Sequence, residues 1–145
     1  MTVKDSPIRS LSPRDLLKDK LVSFRGEFTP GNLRRKLICP ICQKPMRSIP
    51  DMHEALITRG QTMGHPFQDK IYNENNCVLV HQRCHQSILG TGGNEVFYLC
   101  AKQLVQWMGY ESVYNWLQEM DTIFTIAGRD ALHRFIGYEK EFKNG

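Results

Sequence analysis

The sequence predicts an α+β fold: a small hairpin core tied by a cysteine/histidine knuckle, with helices before and after it. Three observations carry that expectation. Two pairs with two-residue gaps, Cys39-Pro-Ile-Cys42 and His81-Gln-Arg-Cys84, stand about forty residues apart. Short strand-like runs lie just after the first pair and just before the second, the clearest being Val78-Leu79-Val80. From Phe97 onward, apolar residues recur at i, i+3 and i+4, the spacing of one helix face.

The elements are expected in three stretches. Residues 1–36 form a basic helical arm, in which Ser12 caps a helix, Pro13 takes its first position and Asp15 its first turn. Leu16, Leu17, Leu21 and Val22 supply its apolar side and Gly26 ends it. Thr29-Pro30 opens a second turn carrying Leu33 and the triplet Arg34-Arg35-Lys36.

Residues 37–92 form the core. Leu37-Ile38 leads into the first pair, and 46–58 reads as a strand bent at Pro50 with His53 near its middle. The stretch 59–76 is loop chemistry, with Gly60, Gly64, Pro66 and Asn73-Glu-Asn-Asn76. A helix is expected after Cys84-His85, ending near Gly90-Thr-Gly-Gly93.

Residues 93–145 are a helical extension. Phe97, Cys100, Ala101, Leu104, Val105 and Met108 form one face, Gly109 stops it, and Val113, Trp116, Leu117 and Met120 begin another. Asp130 is read as the cap of a last helix carrying Leu132, Phe135 and Ile136. Trp107, Trp116 and Met108 read as helix core, and His133 as a residue at the core's edge. The helix pair around Gly109-Tyr110 fits a helix-turn-helix or plain packing equally. The extension packs on the core, contacts nucleic acid or makes a protein interface, including a homodimer.

Composition limits the function classes. A 145-residue chain that is 41% hydrophobic and 23% charged has the size and make-up of one globular domain with a modest core. No apolar run approaches the roughly 18 residues of a membrane span. The first residues lack the apolar centre of a signal peptide. The expected location is therefore the cytoplasm, with no membrane partner. Five cysteines are an odd number for a disulfide framework, and paired cysteines in a reducing compartment point to metal. Cys77 and Cys100 read as small buried hydrophobes.

Charge is uneven. Residues 1–47 hold eleven Lys and Arg against four Asp and Glu, while 48–145 hold eight against eleven. The basic half includes Arg34-Arg35-Lys36 before the first pair and Lys44 and Arg47 after it. That is the electrostatic footprint of a polyanion binder, and a solvated face is the plainer alternative. Arg59 and Arg83 are further candidates for phosphate contact.

The pairs have ligand spacing for a tetrahedral Zn²⁺ shell of Cys39, Cys42, His81 and Cys84. Taken with His53, Asn76 and His85, the order resembles the HNH endonuclease family, whose ββα-metal motif is a short hairpin followed by a helix. The stretch Asn76-Cys-Val-Leu-Val-His81-Gln-Arg-Cys84-His85 carries the match most closely, with His81 where a cysteine is usual. The likeness covers about residues 37–90.

What this resemblance implies is a DNA phosphodiester hydrolase with a structural zinc and one Mg²⁺ or Mn²⁺ ion. His85 would be a ligand of that ion, and Asn76 would hold the hairpin and orient the base. Small proteins of this outline are frequent in bacteriophage genomes, which would place the chain in a host's cytoplasm. The first strand departs from the family pattern, since Asp51-Met52-His53-Glu54 stands where an Asp-His or His-His pair is common. In one alignment His53 is the base, with Asp51 and His85 helping to hold the ion. In the other, His53 is a ligand and Glu54 the base. Two rivals remain: a zinc-ribbon nucleic-acid binder without catalysis, and a redox protein using Cys39-Pro-Ile-Cys42, which would need a βαβ context.

Overall fold

In the computed structural model, which describes residues 11–26, 37–88 and 93–144, the first helix forms where its cap stands. The Ser12 hydroxyl oxygen accepts from the Asp15 N–H at 3.1 Å, and helix α1 runs Pro13–Gly26. Leu17 and Leu21 are buried, whereas Leu16 is 55% exposed, so the apolar stripe is narrower than expected. The turn at Thr29-Pro30, with Leu33, lies outside the described residues, as do Arg34, Arg35, Lys36 and 90–92.

A two-stranded antiparallel sheet follows, β1 (Asp51–Glu54) and β2 (Cys77–Val80). Asp51 pairs with Val80, Met52 with Leu79, His53 with Val78 and Glu54 with Cys77. The strand expected over 46–58 is thus four residues long. Pro50 has no N–H to give a ladder, and beyond Glu54 the backbone is taken by Asn76 instead. Every residue of β2 is buried, because α3 (Gly93–Met108) packs against it and leaves no solvent face. Between the strands the loop contains two 3₁₀ turns, Gly60–Thr62 and Gln68–Ile71.

Helix α2 (Gln82–Gln86) starts before Cys84 and carries Cys84 and His85 within it, rather than beginning after them. Helices α4 (Tyr110–Ile123), α5 (Ala127–Gly137) and α6 (Glu139–Asn144) complete the described residues. Gly109, at φ +89°, breaks α3 from α4 in a conformation other residues resist. Gly128 lets α5 cross closely over the end of α4, since a Cβ there would sit 2.4 Å from the Met120 carbonyl oxygen. Asp130 lies in the first turn of α5 rather than at its cap. Trp116 is buried as expected, while Trp107 is 46% exposed and His133 and Ile136 face outward.

The helical extension closes over the hairpin side of the molecule. The Gln103 amide donates to the Ile38 carbonyl at 2.8 Å, and the Ser112 hydroxyl to Asn75 Oδ1 at 2.8 Å. Lys20 of α1 meets Glu74 of the loop at 3.1 Å. Phe97, Leu104, Leu117 and Phe135 share one buried cluster with Met52, Leu79 and Leu21. Cys77 and Cys100 are fully buried in that cluster, the fate expected of them. No helix among the described residues is long and apolar enough to cross a membrane.

Candidate metal centre and histidine pocket

The first cysteine pair sits on a tight turn. Ile38 bridges Pro45, the Met46 N–H donates to the Leu37 carbonyl at 2.8 Å, and the Cys39 N–H to the Lys44 carbonyl at 3.0 Å. Gln43 takes a left-handed φ of +63°, which lets the chain reverse while Cys39 and Cys42 stay on one side. The second pair comes from the start of α2: His81 is the extended residue before the helix and Cys84 lies one turn in. Forty residues apart in sequence, the pairs meet because β2 delivers His81 directly beside the turn.

The donor atoms of Cys39, Cys42, His81 and Cys84 all lie within 4.8 Å of one another. A tetrahedral zinc shell with Zn–S near 2.3 Å needs ligand separations of about 3.8 Å, within reach of small side-chain adjustments. Cys42 Sγ is 3.1 Å from His81 Nδ1. His81 Nε2 lies 3.2 Å from the Pro45 carbonyl, and a carbonyl only accepts, so the ring proton sits on Nε2 and Nδ1 is left to bind. Burial first, then the Cys39 and Cys42 sulfurs, push the Cys84 thiol up to about 12. Thiols crowded in this way suit a divalent cation, which stabilises their deprotonated form. The group can hold a zinc ion, and its soft donors match that metal. The pairs sit on an antiparallel hairpin core rather than in a βαβ unit, which removes the context a redox motif would use.

His85, the residue after Cys84, points elsewhere. Its Nδ1 is 3.1 Å from Asp51 Oδ2, across 34 residues of sequence. Its ring lies 5.4 Å from that of His53, centroid to centroid. Strand alternation puts Asp51 and His53 on the same face of β1 and sends Met52 into the core, where it is fully buried. His53 is 3% exposed, and its Nε2 has no hydrogen-bond partner among the described residues. Burial, then the neighbouring His85, lower its pKa to about 4, so the ring is neutral at pH 7. A cavity of about 250 Å³ opens beside the two rings, lined by His53, Glu54, Thr58, Arg59, Gly60, His85 and Ile88.

Asn76 lies beneath this pocket rather than in it. Its Oδ1 accepts from the Leu56 and Ile57 N–H groups at 3.0 and 2.9 Å, and its Nδ2 donates to the Ile57 and Ile71 carbonyls at 2.8 and 2.9 Å. The side chain is fully buried and spends all four bonds on backbone. It holds the segment leaving β1 against the loop entering β2, and that fixes where His53 stands.

The rim of the pocket has its own clasp. The Gln61 N–H donates to Thr58 Oγ1 at 3.2 Å, while the Thr58 N–H donates to Gln61 Oε1 at 2.9 Å. This reciprocal pair is a capping box, legible in the sequence as Thr58-Arg-Gly-Gln61 yet not read there. It positions Arg59 over the cavity. Glu54 stands at the same rim, 3.4 Å from the Arg59 N–H.

The structure therefore brings Asp51, His53 and His85 together, with Glu54 and Arg59 beside them. Arg83 it places elsewhere, in a larger cavity of about 650 Å³ on the metal-centre side, lined by Lys44, Arg47 and Ser48 as well. No protein-family model, curated protein or solved structure matches the chain.

Proposed function

We propose that the chain is an HNH-type, metal-dependent endonuclease that hydrolyses DNA phosphodiester bonds, with zinc held by Cys39, Cys42, His81 and Cys84 as its structural centre. One observation carries the reading: His53 from β1 and His85 from α2 line one cavity, Asp51 on the same strand face as His53 is paired to His85, and the buried His53 Nε2 has no partner among the described residues.

The donors suit a hard divalent ion. A carboxylate oxygen and an imidazole nitrogen 3.1 Å apart can share a Mg²⁺ or Mn²⁺ ion and leave its other positions to water and substrate. Such an ion, when bound, steadies charge on the reacting phosphate and on the leaving oxygen. His53, neutral and unpartnered, accepts a proton from the attacking water. Glu54 is the alternative base at the same rim. Arg59 meets a phosphate oxygen, and Asn76 keeps β1 in register while touching no substrate.

The test is cleavage of supercoiled plasmid at low salt, with Mg²⁺, with Mn²⁺ and with neither added. The expected result is conversion to nicked or linear DNA that needs the ion and is lost in His85→Ala and in His53→Ala. A second reading has one observation in its favour: the Asp51–His85 pair is already satisfied as it stands. Intact plasmid in every lane, with DNA still shifted on a gel, would make the chain a zinc-ribbon binder without catalysis.

A further inference from the structure

The cleft on the metal-centre side of α2 has a composition that the cutting pocket does not need. Lys44, Arg47 and Arg83 line it with Ser48, around Cys42, His81 and Cys84, and no Asp or Glu is among its described lining residues. All three cations are exposed, and none makes an ion pair among the described residues. Some other surface cations are matched, Lys20 with Glu74, Arg129 with Asp121 and Lys143 with Glu139. The exposed Lys70, Lys102 and Lys140, which make no ion pair among the described residues, lie on separate elements.

We propose that this cleft anchors the phosphodiester backbone of DNA, as a site separate from the pocket where the bond is cut. The anchoring itself stands on the cleft; its separation from a cutting site rests on the nuclease reading above.

The metal centre makes the cleft a fixed feature. Lys44 and Arg47 follow the Cys39–Cys42 turn, Arg83 precedes Cys84, and the four-donor group ties the two walls together. A Cys₃His shell around Zn²⁺ carries one net negative charge, which the Lys44 ammonium beside Cys42 offsets. Arg47 and Arg83 then supply the remaining positive charge, and their forked guanidiniums suit phosphate oxygens.

The polymer is favoured over a small phosphate because every cation here faces water. Each exposed contact is weak and screened by salt, so useful affinity needs many phosphates held at once. A small-anion site would bury its donors.

Among the described residues the two cavities share no lining residue. Arg83 and His85 are two positions apart on α2, about 200° around the helix axis, which places them on opposite sides. Contacts made at the cleft are therefore equal before and during bond cleavage. They tighten binding without changing turnover.

Binding of a duplex of about 20 base pairs by fluorescence anisotropy tests the cleft, using the zinc-loaded full chain without added Mg²⁺ or Mn²⁺. Counterion release gives a slope of about 0.9 in log K against log salt for each phosphate contact. Arg47→Gln/Arg83→Gln is expected to flatten the slope by about 1.8 and to weaken binding roughly 60-fold at 0.1 M salt. Lys70→Gln/Lys140→Gln, on exposed lysines of other elements, is the control and should match the parent. An unchanged slope in the first variant, an equal loss in the control, or displacement of DNA by inorganic phosphate at constant ionic strength would overturn the proposal. Unchanged zinc content and melting in the arginine variant exclude misfolding, which is expected of two exposed side chains.

With cleavage as the readout, the same variant should raise KM and keep kcat within about twofold. A fall in kcat at unchanged KM would put the arginines at the cutting site and end the claim of separation. If the parent cuts nothing in either ion, the nuclease reading fails, while the anisotropy result still decides the cleft.

Discussion

Cys84 and His85 are consecutive residues on one short helix, yet they belong to sites of opposite character. Around Cys84, four donors turn toward a common point, and the one ring nitrogen facing away from it is bonded to the Pro45 carbonyl. Around His85, two imidazoles line an open cavity with the Asp51 carboxylate paired to one of them, and the Nε2 of the other has no partner among the described residues. A step of about 100° around a helix axis is enough to send neighbours to different sites. The closed site gathers its donors on one point, whereas the open one leaves the buried His53 Nε2 without a partner among the described residues. With zinc bound, the closed site would also hold the open one in place, because two of its donors, His81 and Cys84, stand at the end of β2 and in α2.

The sharpest way to break this comparison is to remove a donor from the closed site. Cys42→Ala or Cys84→Ala should abolish stoichiometric zinc binding and unfold the knuckle, since structural zinc commonly supplies on the order of 10 kcal/mol to small domains. Zinc content and thermal melting check this, and a variant that melts like the parent would sink the zinc assignment. The corresponding change in the open site, His85→Ala, should barely move the melting temperature.

Asn76→Ala comes next. It leaves two N–H groups and two carbonyls inside the fold without their side-chain partner, and the expected loss is about 4 kcal/mol, near 1 kcal/mol for each bond. Urea unfolding measures it. A loss below about 1 kcal/mol would mean that the loop re-pairs around the gap, and Asn76 would no longer be the residue that sets the pocket.

The third expectation concerns pH. His53 has a pKa lowered to about 4 in the folded chain, against an ordinary value near 6.5. Below 6.5 the unfolded chain therefore binds a proton that the folded chain refuses. Stability falls as pH drops from about 6.5 to about 4, where the folded form also becomes protonated. The loss amounts to about 3 kcal/mol for this residue. Unfolding of the protein without added Mg²⁺ or Mn²⁺, compared with His53→Gln across that window, isolates it. Parallel curves for parent and variant would show that the ring is not held neutral by the fold.

The parts legible in the sequence share one property: their cause is local. Ser12 and Pro13 start α1 because a cap acts over three residues, and Gly109 stops α3 because a left-handed turn is a property of one residue. The two-residue gaps of the knuckles state their ligand geometry without help from the rest of the chain. Expectation and structure part where distant groups compete for the same backbone. The expected strand over 46–58 is cut short because Asn76, twenty residues on from Leu56, takes the N–H groups that a longer ladder would use. Leu16, Trp107 and Ile136 have apolar side chains on helices, but which flank of each helix is covered depends on where its neighbours pack. Helix α6 is not legible in the sequence, since its six residues carry too few apolar positions to show a period.

For the site, the sequence by itself determined the donor set Cys39, Cys42, His81 and Cys84 and marked His53, Asn76 and His85 for attention. The family likeness already set Asp51 with His85 and gave Asn76 the hairpin to hold. Only the tertiary structure put that pair 3.1 Å apart, buried His53 with its Nε2 lacking a partner among the described residues, gave Asn76 its four backbone bonds and placed Arg83 with Arg47 on the other side of α2. The physical reason is distance along the chain. Ligand spacing and caps are written within one turn of backbone, whereas a contact across 34 residues exists only once a hairpin and a helix have packed against each other.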